Sequence, residues 1–188
     1  MSATAGLEHA FASTRGILAN ITPDDYDTST PCESWKVRDL VNHFIGASQW
    51  AATSVTAGES PPYSNRDFTG GNLVDAYDDA TKAAVAAFGA DGAQEKMVKL
   101  PFGTLPGSAF MGIVTTDQFI HGWDLAKATG QPSDIDPAFA AQLLDGAKAS
   151  ISDQFRGPDG KAPFGAAVNV DDSAPPADQL AGFLGRTP

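Results

Sequence analysis

Apolar residues recur along this chain at the three-and-four spacing of helices, and no stretch alternates long enough to build a sheet. Residues 3–20 read as a first helix, ending before the turn-rich "ITPDDYDTSTPCES". In "WKVRDLVNHFIGASQWAATSVTAG", Val37, Leu40, Val41, Phe44, Ile45, Ala51 and Val55 follow the helical template, which predicts a helix capped by Ser34 and running to about Gly58. Asn72 to Phe88 forms an Ala-rich third helix with Asp75, Asp78 and Asp79 near its front. "EKMVKLPFGTLPG" is too short and proline-broken for a helix and reads as an extended, strand-like connector. A fourth helix opens at Pro106 or Ser108 and closes at "ATGQP", with Gly130 as cap and Pro132 as stop. A fifth runs from Pro137 to about Phe155. The Gly-, Pro- and Asp-rich stretch that follows is an ordered loop, and "ADQLAGFLG" pins it back through Leu180, Phe183 and Leu184. The expectation is an all-α protein, an antiparallel four-helix bundle within one domain of residues 1–188, with 157–188 as a loop-rich tail packed on the bundle.

The fourth helix departs from the amphipathic pattern. Met111, Ile113, Val114, Phe119, Ile120, Trp123 and Leu125 surround most of its circumference, which predicts burial on several sides. Yet Asp117, His121 and Asp124 fall in one stripe roughly 60° wide. Carboxylates in such a place are costly unless paired or bound to a metal. Asp117 and His121 stand one turn apart, the spacing at which a helix offers two ligands to one ion; an Asp–His hydrogen bond without metal satisfies the same spacing. Asp124 either accepts from behind His121 or lies at the exposed end near Lys127.

A third ligand must come from elsewhere. The chain has three histidines. His43 lies at the border of the second helix's apolar stripe beside Ala47 and Trp50, where it lines a groove between helices or is an ordinary half-buried histidine. His9 is near the N-terminus and reads as surface. Cys32, the sole cysteine, precedes a helix start, where the dipole can activate a thiol, but free cysteines are more often inert packing. No phosphate-cradling glycine loop, CxxC pair or nucleophile elbow occurs.

Composition narrows the function. At 42% hydrophobic and 19% charged residues, the chain can build a core. A net charge of −11 argues against nucleic acid and anionic membranes as partners. No membrane span or leader pattern is evident, since Glu8, His9 and Arg15 interrupt the N-terminal stretch, and a cytoplasmic location is expected. A homodimer is one oligomeric state left open.

"STPCESWKVRDLVNHFIG" resembles the "TPC-x-x-W-x-V-R-D-L-V-x-H" signature of the mycothiol-dependent maleylpyruvate isomerase N-terminal domain group of the DinB-like superfamily. "DQFIHGWDLAKATGQ" resembles its later "E/D-x-x-x-H-x-W-D-L-A-x-A-T-G" signature, and the tail is similar to the ending of a stand-alone subfamily described only as metal-binding. The resemblance spans nearly the whole chain. It implies a DinB-like four-helix bundle holding a divalent metal, usually zinc, through His43, Asp117 and His121. Asp117 stands at a position that the signature fills with Glu or Asp, and it is the shorter of the two. Three ligands leave a coordination position open, as in catalytic zinc sites. With mycothiol or a similar thiol as cosubstrate, the implied chemistry is S-transfer to a small electrophile by a thiolate held at the metal. Isomerisation is implied less, because the two-domain isomerases take a substrate-binding arginine from a C-terminal domain, and here the tail carries only Arg186. A non-catalytic binding module and a metal-assisted hydrolase are the rivals.

Overall fold

The computed structural model describes residues 2–158 and 161–188. Among them the chain is mostly helical, with six helices and one small sheet: α1 (Ala5–Leu18), α2 (Val37–Ala57), α3 (Leu73–Phe88), β1 (Met97–Leu100), β2 (Gly103–Pro106), α4 (Gly107–Ala128), α5 (Pro137–Ser150) and α6 (Pro176–Phe183). α1 packs on α4 and α3, α2 on α3 and α4, and α5 pairs with α6, which also touches α4.

The helices start where local chemistry satisfies their free N–H groups. α2 begins at Val37, later than a Ser34 cap would place it, because Asp39 Oδ2 accepts the Lys36 N–H at 2.9 Å. Asn72 caps α3 by accepting from Val74 and Asp75. Asp136 caps α5 by accepting from Phe139 at 3.1 Å. Gly130 ends α4 in the left-handed conformation (φ 66°), as its place in the sequence predicts. α5 stops at Ser150, short of the expected Phe155, because Ile151 turns extended; Asp153–Phe155 is a separate 3₁₀ turn.

The connector corrects the expectation of a chain without a sheet. β1 and β2 pair antiparallel, Val98 opposite Leu105 and Lys99 opposite Thr104. Val98 and Leu100 point into the core while Met97 and Lys99 face solvent. Four-residue strands are too short for alternation to announce themselves in sequence.

α4 lies between two apolar clusters, which explains its all-round hydrophobicity. On one side Phe110, Val114 and Leu125 join the core of α1, α2, α3 and the hairpin. On the other, Phe119, Ile120 and Trp123 pack with Ala140 and Leu144 of α5 and with Ala177, Leu180 and Leu184 around α6. Full burial of side chains such as Phe119 stabilises by roughly 1.5–3 kcal/mol each. The last helix therefore pins the tail as its apolar face predicts, and Trp123 Nε1 donates to Asp178 at 2.8 Å. α1 crosses α4 so closely at Gly122 that a Cβ there would lie 2.5 Å from Thr14 Oγ1. At the same crossing Thr14 donates to the Gln118 carbonyl at 2.7 Å, while the Gln118 side chain accepts from Tyr77 and donates to the Phe44 carbonyl. Gln118 thus ties α4 to α1, α2 and α3, and fixes the register of its neighbour Asp117.

His9 lies at the surface, as expected, and there its half-exposed ring pairs with the Asp136 carboxylate and meets Phe139 edge-on. That contact joins α1 to the start of α5.

Candidate metal centre

α2 and α4 bring His43, Asp117 and His121 together. Asp117 Oδ1 lies 3.5 Å from His43 Nε2 and 3.4 Å from His121 Nε2. The two rings meet edge to face with centroids 4.9 Å apart. The pair four apart on α4 is local helix geometry; His43 arrives only because α2 packs against α4.

The donor set fits a divalent cation. Charge-assisted N–H···O contacts settle at ~2.7–2.9 Å, clearly shorter than either separation here. Ligands bound at ~2.0–2.1 Å around a tetrahedral ion stand ~3.3–3.4 Å apart, close to both. Two imidazole nitrogens and one carboxylate oxygen are ligands that zinc accepts.

His121 is nearly buried, and its other nitrogen, Nδ1, lies 2.9 Å from Asp124 Oδ2. Burial opposes charge on this imidazole, but the field of Asp117 and the hydrogen bond to Asp124 outweigh it and raise its pKa well above the ordinary value. Asp117 is likewise penalised by burial yet held below the usual carboxylate range by His121 and His43. Such mutual stabilisation of charge is what a cation would take over.

Asp124 settles one of the alternatives left by the sequence. It is fully buried behind His121, while Lys127 packs over the Trp123 ring. Burial raises its pKa; Arg186 and His121 more than compensate and lower it. Arg186 Nε and Nη2 reach Asp124 Oδ1 and Oδ2 at 3.2 and 3.1 Å. Cys32 is half-buried and donates to the same Oδ2 at 3.4 Å, with Arg186 Nη2 3.7 Å from its sulfur. Arg186 was not predicted to approach the site. The signal in the sequence was the buried carboxylate itself, which required a cationic partner.

Two aromatic residues flank the centre. Trp35 tilts over both histidines, with ring centroids 4.6 Å from His43 and 5.6 Å from His121. Tyr63 donates to the His43 carbonyl at 3.0 Å, and burial together with the Asp117 charge pushes its pKa up to about 12.

A match to the mycothiol maleylpyruvate isomerase N-terminal domain covers residues 7–126. The chain belongs to this family. The matched region of this mycothiol maleylpyruvate isomerase N-terminal domain protein contains His43, Asp117, His121 and Asp124; Arg186 lies outside it. Two uncharacterized proteins of Mycobacterium tuberculosis, from strains CDC 1551/Oshkosh and ATCC 25618/H37Rv, are each 41% identical over 184 residues, covering 96% of this chain and 93% of theirs. No solved structure matches. No helix among the described residues is long and apolar enough to cross a membrane.

Proposed function

We propose that His43, Asp117 and His121 hold a divalent metal, zinc, and that the protein is a metal-dependent thiol S-transferase using mycothiol or a similar small thiol against a small electrophile. The observation that carries this reading is the placement of Asp117 Oδ1 at near-equal distances from two histidine Nε2 atoms. A zinc ion there would supply the positive charge that keeps a thiol in its thiolate form near neutral pH.

The chain's own residues would do the remaining work. Gln118 holds Asp117 in register, and Asp124 holds the His121 ring with its Nε2 toward Asp117. Trp35 and Tyr63 flank the His43 ring, which stays partly open to solvent. Thiol transfer is favoured over metal-assisted hydrolysis because the nearby carboxylate, Asp124, already accepts from His121, Arg186 and Cys32 and is not free to act as a base. A thiolate needs no such base.

The family match over residues 7–126 supports reading α1–α4 as a DinB-like antiparallel four-helix bundle, and the packing of α6 on α5 and α4 supports one domain of residues 1–188 with 157–188 as its tail. A cytoplasmic location goes with a low-molecular-weight thiol partner. The test is metal analysis of the purified protein, followed by thiol consumption with zinc and model electrophiles. Stoichiometric metal with zinc-dependent thiol consumption supports the transferase. Metal without turnover makes the protein a binding module, turnover without thiol makes it a hydrolase, and absence of metal ends the proposal.

A further inference from the structure

His121 belongs to two overlapping groups of potential ligands, His43/Asp117/His121 and Cys32/His121/Asp124. The second contains a thiol and a fully buried carboxylate, a donor set at least as attractive to zinc as the first. One side chain separates them. The Arg186 guanidinium, with only 11% of its side chain exposed, spans both oxygens of Asp124 and extends to the Cys32 sulfur. It is itself held by Nη1 donating to the Leu184 carbonyl and by its backbone N–H donating to Ala181. A cation cannot use Asp124 and Cys32 while a permanent positive charge sits on both.

We propose that Arg186 is a positioning residue that assigns the metal to His43, Asp117 and His121 and denies it Cys32 and Asp124. This rests on the metal reading above. The fork fixes the Asp124 carboxylate so that Oδ2 accepts the Nδ1 proton of His121, which directs Nε2 toward Asp117 as the atom that would bind a metal once the metal displaces its proton. The role falls to the tail, outside the region that defines the family. A chain cut before Arg186 would keep all three ligands and lose the residue that directs one of them.

The test compares zinc affinity, by competition with a chromophoric chelator, in the full-length wild type, Arg186→Met and Arg186→Lys. Cobalt spectra are recorded on the same proteins. Loss of the group that orients a ligating histidine weakens metal binding by ~10–100-fold. Arg186 acts on His121 through Asp124, so Arg186→Met should weaken binding at His43, Asp117 and His121 by no more than that while opening Asp124 and Cys32 to the metal. Arg186→Lys keeps the charge but not the fork and should bind several-fold more weakly than wild type. Wild-type cobalt protein should lack thiolate-to-cobalt charge transfer; Arg186→Met should gain it, and Arg186→Met/Cys32→Ser should lose it again. A merely structural role for Arg186 would not produce that band. Arg186→Met that binds zinc within twofold of wild type and shows no such band overturns the proposal. Should that variant not fold, Arg186→Lys binding equal to wild type does the same. Wild type that binds no metal instead refutes the metal reading itself, so the two failures are distinct.

Discussion

Arg186 and Asp124 lie 62 positions apart and meet as a fork, Nε on Oδ1 at 3.2 Å and Nη2 on Oδ2 at 3.1 Å. The carboxylate they stabilise is the one that grips His121, so the end of the chain is mechanically connected to the candidate centre. An ion pair this deeply buried is costly to break from one side, because the remaining charge is stranded.

Metal linkage should separate ligands from core residues. If His121 is a ligand, a chelator will lower the wild-type melting temperature substantially and that of His121→Ala hardly at all. Free metal at a hundred times its dissociation constant stabilises by about 2.7 kcal/mol. His43→Ala and Asp117→Ala should behave like His121→Ala. Equal chelator responses in wild type and variants would make the set a structural polar cluster.

Cys32→Ser should retain metal and thiol-dependent turnover, since a serine hydroxyl can still donate to Asp124 and the nucleophile arrives with the cosubstrate. Metal content and activity of the purified variant check this. Complete loss of activity in a folded, metal-loaded Cys32→Ser protein would make the thiol itself the reactive group.

The α1–α4 crossing leaves no space beside Gly122. Gly122→Ala should therefore cost about 1–3 kcal/mol in urea unfolding, through overpacking against Thr14. A variant as stable as wild type would show that the two helices can separate without penalty.

The Asp136 carboxyl is held below its ordinary pKa, first by the Phe139 N–H and then by His9. A group whose folded pKa is depressed contributes fully above its unfolded value, about 3.9, and loses that contribution as pH falls through the folded value. Asn at this position can keep both the cap and the left-handed backbone (φ 40°) but cannot ionise. Wild type should therefore exceed Asp136→Asn in stability near neutral pH, with the gap closing on acidification. Thermal melts across that range check it; a gap independent of pH would mean that the charge contributes nothing.

Local chemistry determined much of this protein in advance. The apolar face of α2, the all-round hydrophobicity of α4 and the stop at Gly130 follow from spacing and backbone preference within a few residues of each position. So does the Asp117–His121 pair, because residues four apart on a helix share a face whatever surrounds them. The hairpin was only half legible, since short strands acquire their identity from a partner.

Tertiary packing decided the rest. His43 borders its own helix's stripe with no local mark of its destination, and only the α2–α4 packing brings its Nε2 to Asp117. Asp124 could have faced solvent beside Lys127; Cys32 from the segment before α2 and Arg186 from the tail meet it instead, and it is fully buried. Arg186 and Cys32 reached the centre by long-range contacts that no periodicity encodes. A helix can place two side chains together by its own 3.6-residue turn, but a third must be delivered by burial of the surfaces between elements, a property of the whole chain.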